Sequence, residues 1–271
     1  MTDPARIVAI EDPDDPRIAA YRHVRERDLA GREGLFVAEG VVVLEKLLAG
    51  GRLRADSVLV AARRLGGLAD LLGRIPPDVA IYAADQPVMD AITGFHIHRG
   101  VLAIGRRGAP LDPEALLRAQ PARSVVVVMV GLSNHDNVGG VFRNAAAFGT
   151  GAVLLDAACC DPLYRKAIRV SVGAALTTPF ARLAPNADIL SLLAATGFEP
   201  VALSPAGRES LSDWTPPARV ALLLGAEGPG LPAAIMDRVP GVRIPMAPGF
   251  DSLNVAVASG VALHHLAAFG A

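Results

Sequence analysis

Residues 134 to 149 read NHDNVGGVFRNAAAFG and follow directly on an apolar run at 124–130. Glycine allows another backbone or a ligand to approach closely, and an asparagine side chain can bond a nearby amide or a substrate hydroxyl. We therefore expect Asn137, Gly139 and Gly140 to form a turn between a buried strand and a helix. A turn of this kind is a candidate site for a polar ligand.

Arg143 follows this turn closely and is expected on the first turn of the helix. A cation near the positive N-terminus of a helix is electrostatically unfavourable by itself, so it calls for an anionic partner such as a phosphate. A solvated guanidinium, or one paired with Asp136, is the alternative. The stretch contains neither G-x-G-x-x-G nor G-x-x-x-x-G-K-[ST], which argues against a nicotinamide or nucleoside triphosphate enzyme.

A second buried strand runs into glycines in LLLGAEGPGL, at residues 222–231. Gly225, Gly228 and Gly230 surround Glu227, whose carboxylate can orient the loop or bind a cationic or hydroxyl group. The loop can also offer backbone amides and carbonyls to a ligand. A plain turn between a strand and a helix explains the glycines equally well.

A third stretch, RIPMAPGFDSLNVAVASGVALHHLAAF, occupies residues 243–269. Asp251 or Ser252 is expected to cap the helix that follows, because short polar side chains accept hydrogen bonds from the first free amides of a helix. Ser252 and Asn254 then place two neutral hydrogen-bonding side chains at the mouth of that helix. The small residues further along permit close approach by another element.

The histidines and cysteines do not show the spacing of metal ligands. They include His96, His98, His264 and His265, and the adjacent pair Cys159 and Cys160. The first two histidines alternate like strand residues in GFHIHRG, and the other two fall late in a helix, where a surface role is expected. A disulfide between adjacent cysteines would be strained, so both thiols are expected to be free.

The composition is that of a globular protein with a well-filled core, with 52% hydrophobic residues in 271 and a formal net charge of −1. This charge excludes an overall basic surface, and the basic residues are nearly all arginine, with Lys46 and Lys166 as the lysines. The apolar runs are far shorter than the ~20 residues of a bilayer span. The first residues lack the order of a secretory signal, so a cytoplasmic location is expected.

Short β-branched runs alternate with helical patterns from residue 58 onward, which predicts parallel strands joined by crossover helices. The expected strands contain SVLVAA, VAIYAA, SVVVVMVG, AVLLDAA, RVALLLGAEG and GVRIPM. A proline-containing seam at 106–123, with a short helix from Pro113 to Arg118, separates two α/β regions.

Near the beginning, 16–32 is expected to form an exposed helix, either an ordinary solvated face or a surface for an RNA backbone. Its arginines are Arg17, Arg22, Arg25, Arg27 and Arg32.

The combination and order of the three stretches are more specific than any one of them. NVGGVFRNAAAFG, GAEGPGL and IPMAPGFDSLNVAVASG together resemble the three signature motifs of the SpoU (TrmH) family of RNA ribose 2′-O-methyltransferases, in the SPOUT superfamily. The resemblance covers roughly 124–269. Earlier in the chain, GLFVAEGVVVLEKLL resembles the F-x-x-E-G stretch of a small substrate-binding domain that precedes the catalytic domain in many members.

This resemblance implies an α/β fold in which a C-terminal SPOUT domain with a parallel sheet and a deep trefoil knot follows a smaller, ribosomal-protein-like RNA-binding domain. The implied bounds are 1–108 for the RNA-binding domain, 109–122 for a linker and 123–271 for the methyltransferase domain. The resemblance further implies S-adenosylmethionine as methyl donor, the ribose of tRNA or rRNA as acceptor, and a homodimer formed through the C-terminal domain, with no membrane partner.

The family's functional residues can be transferred to matching positions. The implied catalytic residues are Asn137, Arg143, Glu227, Ser252 and Asn254, and the implied cofactor-binding residues are Leu224, Gly225, Ile244, Met246 and Leu253. The sequence departs from the family pattern at Asn134-His135, where many members have Asp-Pro. A catalytically silent RNA-binding member of the same fold, or a small-molecule α/β enzyme with a nucleotide cofactor, is the alternative function.

Overall fold

The computed structural model describes residues 6–22, 34–94 and 96–268, which fall into two compact units. The N-terminal unit comprises the described residues of 1–109 together with 163–177, and the C-terminal unit comprises 110–162 and those from 178 onward. The predicted boundary assigned 163–177 to the C-terminal domain, whereas this segment packs within the N-terminal unit. Most of its buried residues are apolar, including Ala167, Ile168 and Ala175, which explains why it requires a packing partner.

The N-terminal unit contains a five-stranded sheet in the order β1-β4-β3-β5-β2. Its strands are β1 (Ile7–Ile10), β2 (Leu35–Glu39), β3 (Arg54–Ala61), β4 (Ala80–Ala84) and β5 (Val101–Arg106). Its α-helices are α1 (Val41–Ala49), α2 (Ala69–Gly73), α3 (Gln86–Thr93), α6 (Arg165–Val170) and α7 (Ala174–Thr177), joined by 3₁₀ turns at Pro16–Tyr21, Ala62–Arg64 and Gly66–Leu68. The expected strands β3 and β4 pair in parallel, as predicted, whereas β5, which is not among the expected strands, runs antiparallel to both of its neighbours. Strand patterning reports burial and not direction, which is why the sequence could not show this.

The predicted exposed helix at 16–32 is wrong where the structure describes it, at 16–22. Pro16–Tyr21 is a 3₁₀ turn in which Ile18 and Tyr21 are fully buried. The Tyr21 hydroxyl lies 2.8 Å from the Ser57 hydroxyl, and burial raises the pKa of Tyr21. Arg17 is paired with Asp15, which lowers the pKa of that carboxyl to about 2.

Arg22 of the same segment is paired with Asp14 at 3.3 Å. The described arginines of this segment are therefore paired locally, which argues against the RNA-backbone surface that is one of the two alternatives for 16–32. Arg25, Arg27 and Arg32 lie outside the described residues.

The F-x-x-E-G stretch of the N-terminal unit serves the fold. Phe36 is buried on β2 against Gly105, where an added Cβ would lie 2.2 Å from the ring, so only glycine fits there. Glu39 ends the same strand and accepts a hydrogen bond from Arg165 Nη2 of α6 at 2.6 Å. The side chains of this ion pair are only 10% and 14% exposed. The pair holds 163–177 against the N-terminal sheet.

The C-terminal unit is built on a seven-stranded sheet in the order β10-β12-β9-β11-β6-β7-β8, in which every described pairing is parallel, as predicted. Its strands are β6 (Ser124–Met129), β7 (Ala152–Leu155), β8 (Phe180–Arg182), β9 (Glu199–Leu203), β10 (Glu209–Ser210), β11 (Arg219–Leu224) and β12 (Gly241–Arg243). Its helices are α4 (Pro113–Arg118), α5 (His135–Ala147), α8 (Ile189–Ala195), α9 (Ala233–Met236) and α10 (Val255–Ala268). The central strands β6 and β11 are almost entirely buried, as is typical of a parallel sheet covered on both faces.

The region predicted as a linker, 109–122, contains the predicted helix α4, and from residue 110 it belongs to the C-terminal unit. Leu117 is fully buried in the core of that unit. Arg219 at the start of β11 donates hydrogen bonds to the carbonyls of Leu117, Gln120 and Pro121 at 2.7 to 3.0 Å. These bonds satisfy the end of α4 and attach the region to the sheet.

The predicted turn at Asn137, Gly139 and Gly140 is wrong, because helix α5 begins earlier, at His135. Asn134 caps this helix by accepting a hydrogen bond from the amide of Asp136 at 2.8 Å. The glycines therefore lie inside the helix, where they allow a close approach. An added Cβ at Gly140 would lie 2.5 Å from the Cβ of Ala256 on α10.

The contact between the two helices is completed by Asn144, whose Nδ2 donates to the carbonyl of Ala256 at 2.6 Å and to the Ser259 hydroxyl at 3.0 Å. Gly140 and Asn144 together fix α5 against α10. Across the described residues, no helix has both the length and the apolar character needed to cross a bilayer.

Candidate active site

A cavity of about 610 Å³ opens at the carboxyl ends of β9, β11 and β12 in the C-terminal unit. In open parallel sheets, ligands bind in crevices at this edge, and ligand cavities typically measure about 300–1,000 Å³. Three loops form its walls, at 203–205, 224–231 and 244–255. The position and size of the cavity suit an organic ligand.

The loop 224–231 folds back on itself at the floor of the cavity. The amide of Gly230 donates to the carbonyl of Ala226 at 2.9 Å, and Gly228 and Gly230 have φ of 83° and 70°, a left-handed conformation that favours glycine. An added Cβ at Gly225 would lie 2.3 Å from the backbone of Gly230 and Leu231. These glycines are therefore required by the loop geometry, which exposes backbone groups to the cavity.

Side chains from all three sequence motifs meet in one hydrogen-bonded chain at the edge of the cavity. Asn254 Nδ2 donates to Asn137 Oδ1 at 2.9 Å, and Asn137 Nδ2 in turn donates to Glu227 Oε1. Asn137 is only 4% exposed, so its amide orientation is fixed by these two partners. These hydrogen bonds join α5 to the loops that follow β11 and β12.

Asn254 also begins helix α10. Its Oδ1 accepts hydrogen bonds from the amides of Ala256 and Val257 at 2.9 and 3.3 Å. The expectation that Asp251 or Ser252 caps this helix is therefore wrong, because the helix starts later, at Val255. Asp251 and Ser252 line the cavity instead.

Most of the predicted site residues lie around this cavity. Its lining includes Leu224, Gly225, Glu227, Ile244, Met246, Ser252, Leu253 and Asn254. Asn137 reaches the same place through its bonds to Glu227 and Asn254. The cavity wall formed by Leu203, Ser204 and Pro205 at the end of β9 is not among the predicted site residues. The apolar strand ending in Ser-Pro was the only local signal, and its place beside β11 depends on long-range strand pairing.

Arg143, another predicted site residue, does not lie at the cavity. It is exposed and lies on the third turn of α5, not on the first turn as expected. Six helical positions separate it from Asn137, a rotation of about 240° at about 100° per residue, so the two side chains leave the helix in different directions. Within the described part of the chain, its guanidinium makes no hydrogen bond or ion pair, and the alternative pairing with Asp136 is not seen.

The departure from the family pattern at Asn134-His135 has a local explanation. Asn134 is the residue that caps α5, and asparagine and aspartate are equally good at this position. His135 occupies the first helical position, where proline is favoured because its missing amide is not needed. The change therefore keeps the start of the helix and alters only the side chains that it presents.

The electrostatics of the cavity are acidic. Glu227 and Asp251 line it, whereas its described lining contains no lysine or arginine. Such a site favours a ligand with a positive centre over a polyphosphate. No group of three or more His, Cys, Asp or Glu side chains suited to holding a metal occurs among the described residues.

The four histidines considered above, His96, His98, His264 and His265, and the two cysteines are not among the residues that line the cavity. His96 and His98 lie in an irregular segment after α3 and not in the expected strand, and His96 Nδ1 is 2.7 Å from Asp90. His264 and His265 lie late in α10, as expected. Burial raises the pKa of Cys159 to about 12 and that of Cys160 to about 11, and both are free thiols.

Comparison with known proteins places this fold and this site in context. The family model described as the SpoU rRNA Methylase family matches 124–264. A Mycobacterium tuberculosis H37Rv protein described as an uncharacterised tRNA/rRNA methyltransferase is 41% identical, over 93% of this chain and 89% of its own length. A Synechocystis protein with the same description is 28% identical, over 95% and 93% of the two chains.

Solved structures share the fold over nearly the whole chain. A Sinorhizobium meliloti rRNA methyltransferase with bound S-adenosylmethionine (AdoMet) aligns with a TM-score of 0.80 and 23% identity, covering 96% of this chain and 97% of its own. The AviRb methyltransferase of Streptomyces viridochromogenes, also in complex with AdoMet, aligns with a TM-score of 0.80 and 20% identity, covering 94% and 97%.

The parallel sheet, the cavity at its carboxyl edge and the hydrogen-bonded side chains from three motifs define an α/β protein whose fold matches these methyltransferase structures. The family match extends over about half of the chain, and the mycobacterial relative matches nearly all of it. The chain belongs to the SpoU rRNA methylase family. The family resemblance predicted from the motifs is confirmed.

Proposed function

We propose that this protein is an S-adenosylmethionine-dependent methyltransferase that methylates a ribose 2′-OH in tRNA or rRNA. The observation that carries the proposal is the hydrogen-bonded chain from Asn254 through Asn137 to Glu227, at the edge of the cavity. Its members come from the three motifs of a family of RNA methyltransferases. Relatives described as tRNA/rRNA methyltransferases, and a structural neighbour described as an RNA 2′-O ribose methyltransferase, support the same reaction.

The cavity fits S-adenosylmethionine in size and in charge. Its volume of about 610 Å³ suits a ligand of this size, and Glu227 and Asp251 complement a cationic sulfonium and ammonium. The residues that would hold the cofactor are Leu224, Gly225, Ile244, Met246 and Leu253, largely through backbone groups and apolar contact. The cofactor supplies a methyl carbon made electrophilic by its sulfonium.

The chain's own residues must align the 2′-oxygen and assist its deprotonation, because methyl transfer is an in-line displacement. Ser252 and Asn254 line the cavity and offer neutral donors and acceptors to the ribose, and the buried Asn137 holds Asn254 and Glu227 in position. Arg143 would bind the phosphate of the target nucleotide, and this phosphate would accept the proton of the 2′-hydroxyl, while S-adenosylmethionine would supply the methyl group. A guanidinium with a pKa above about 12 is a poor base but a good two-pronged phosphate ligand.

The position of Arg143 outside its own cavity supports a homodimer formed through the C-terminal unit. An exposed apolar stripe runs from Leu253, just before helix α10, to Val257 and Val261 on the helix, at 41%, 55% and 42% exposure. Such a stripe is typical of a surface that another protein covers. In the proposed dimer, a second copy covers this stripe, and each RNA site is completed by residues of both copies, including Arg143.

Two further features belong to this proposal. In the sheet, β9 and β11 lie between β12 and β6. After β12 the polypeptide returns to form α10, which packs on α5, the helix that follows β6. This return path supports the trefoil knot implied by the family resemblance. The N-terminal unit is proposed to bind RNA, with functional bounds of 1–108 for that domain, 109–122 for the connection and 123–271 for the methyltransferase domain.

The test is methyl transfer from labelled S-adenosylmethionine to total tRNA and rRNA. Because 2′-O-methylation removes the nucleophile for alkaline cleavage, the modified position is mapped as a linkage that resists alkali. The expected result is label at such a position, lost with the Asn137→Ala variant. Label at a base would contradict ribose methylation, RNA binding without transfer would favour a silent member, and cofactor binding without RNA-dependent transfer would favour a small-molecule enzyme.

A further inference from the structure

The wall of the cavity that the motifs do not include is formed by the turn between β9 and β10, at 204–208. Leu203, Ser204 and Pro205 line the cavity from this side. The turn carries no family motif, and its residues Ser204 and Pro205 form part of the cavity wall. How this turn is fixed therefore bears on cofactor binding.

The turn lies directly on the backbone of β12. The amide of Ser204 donates to the carbonyl of Val242 at 3.0 Å, and the amide of Gly207 donates to the carbonyl of Ser204 at 2.9 Å. An added Cβ at Gly207 would lie 2.4 Å from the carbonyl carbon of Val242, so the two backbones are in close contact. Most of this contact is made by backbone atoms.

A single side chain completes the attachment. Arg243, the last residue of β12, donates from Nη1 to the carbonyls of Gly207 and Arg208 at 2.9 and 2.5 Å. Charge-assisted hydrogen bonds of this kind are stronger than those between neutral groups. The residues that follow Arg243 on the chain, Ile244 and Met246, line the cavity themselves. Arg243 therefore links two walls of the same cavity.

We propose that Arg243 is a positioning residue for the cofactor cavity, which holds the 204–208 turn in place before the ligand binds. The inference rests on the proposed function, since it takes S-adenosylmethionine as the ligand. Without the two bonds, the turn must be ordered when the ligand binds, and this ordering weakens affinity. The effect falls on cofactor binding and not on the chemical step, because Arg243 is not placed against the reacting atoms.

The experiment measures binding of S-adenosylmethionine by calorimetry to the full chain and to Arg243→Met, which keeps the apolar stem and removes the donors. We expect about tenfold weaker binding, from the loss of two charge-assisted hydrogen bonds, and a kcat at saturating cofactor and RNA within about twofold of the original. Arg243→Lys, which keeps a cationic donor, should recover most of the affinity. The matched control is Arg208→Met, which removes an exposed arginine from the same turn and leaves its carbonyl, and should bind the cofactor normally.

Hydrogen exchange without ligand supplies a second readout, in which the amides of Ser204 and Gly207 should exchange faster in Arg243→Met. Equal affinity of the original chain and Arg243→Met, or unchanged exchange of this turn, overturns the inference and leaves the proposed function intact. If the original chain fails to bind S-adenosylmethionine, the proposed function fails as well. A circular dichroism spectrum and a melting curve of each variant identify any that fails to fold.

Discussion

Each unit of this protein contains a polar grouping that joins residues far apart in the sequence, and the two groupings do different work. In the N-terminal unit, Glu39 and Arg165 neutralise each other inside the fold. In the C-terminal unit, Asn137 is held between Asn254 and Glu227 at the edge of a cavity of about 610 Å³. A polar residue in a motif that resembles the family pattern can thus stabilise the fold, as Glu39 does, or lie at a candidate site, as Asn137 does.

The difference follows from where each grouping lies in its sheet. Glu39 ends β2, a strand paired only with β5 among the described strands, and α6 contacts it there. Glu227 follows β11, which lies between β9 and β6 in an all-parallel sheet whose carboxyl ends leave a crevice. We therefore expect changes to the first grouping to affect stability, and changes to the second and to Arg143 to affect turnover.

The largest effect is expected from Arg143→Ala, which removes the proposed phosphate ligand. Turnover should fall by at least about 1,000-fold, the upper end of the loss found when one preorganised charge-stabilising donor is removed. Binding of S-adenosylmethionine should stay within twofold, because Arg143 does not line the cavity. Single-turnover methyl transfer and calorimetry measure the two quantities. Arg143→Lys should also be impaired, because the paired donors are lost, and a near-normal rate in Arg143→Ala would remove Arg143 from the mechanism.

The next effect concerns stability. Glu39→Gln removes the carboxylate that is paired with the buried guanidinium of Arg165, and breaking a buried pair in this way typically lowers the free energy of unfolding by about 3–5 kcal/mol. Urea unfolding measures this loss. The folded variant should keep its affinity for S-adenosylmethionine, and Arg165→Met combined with Glu39→Gln should recover part of the stability. A Glu39→Gln chain that is as stable as the original but inactive would reverse the comparison.

How far these assignments could be read from the sequence depends on the range of the interactions. The motifs at Asn137, Glu227 and Asn254 could be predicted to meet, because parallel strands end at one edge and the family pattern links them. The start of α5 could not be predicted, since Asn134 departs from the family pattern and nothing local in the sequence identifies it as the cap. The direction of the Arg143 side chain depends on where α5 begins. Because the start of α5 is not predicted correctly, the position of Arg143 is not predicted correctly either.

The N-terminal unit was less predictable. The direction of β5 and the packing of 163–177 depend on contacts across long stretches of sequence, which local patterning does not reveal. The packing of 163–177 also changes how the unit can be tested, because deleting the first 105 residues would expose the apolar side of α6 and α7. The roles of the site residues and the trefoil knot stay predictions.

Asn137→Ala should have an intermediate effect that separates the two groupings further. It removes both bonds of the central amide, so Glu227 and Asn254 lose a shared partner. Turnover should fall about 100-fold, as for a misplaced catalytic group, with about 1–3 kcal/mol lost in stability. Asn144→Ala is the matched control, because it removes an asparagine from the same helix that bonds only to α10. If Asn144→Ala loses as much turnover as Asn137→Ala, the loss comes from weaker packing of α5 on α10 and not from the hydrogen bonds of Asn137.

The smallest effect is expected at Cys159 and Cys160, which test whether other groups of the C-terminal unit are chemically active. Burial raises the pKa of Cys160 to about 11 and that of Cys159 to about 12, so at pH 8.5 both are almost fully protonated. Since the thiolate is the reactive form, alkylation by iodoacetamide should be slow at pH 8.5 and rise nearly tenfold per pH unit towards pH 10, with Cys160 ahead of Cys159. In the urea-unfolded chain, where a thiol pKa is about 8.5, the rate should level off over this range.

Mass spectrometry of the two cysteines follows these rates, with methyl transfer by the alkylated and untreated protein measured in parallel. Alkylation of Cys160 alone should leave turnover unchanged, because neither thiol belongs to the cavity lining. Fast alkylation at pH 8.5 coupled to loss of turnover would mean that the C-terminal unit contains a reactive thiol that matters for turnover, in addition to the hydrogen-bonded residues Asn254, Asn137 and Glu227. The C-terminal unit would then contain two functional groups, and the comparison between its site and the buried ion pair of Glu39 and Arg165 would no longer be sufficient to describe the protein.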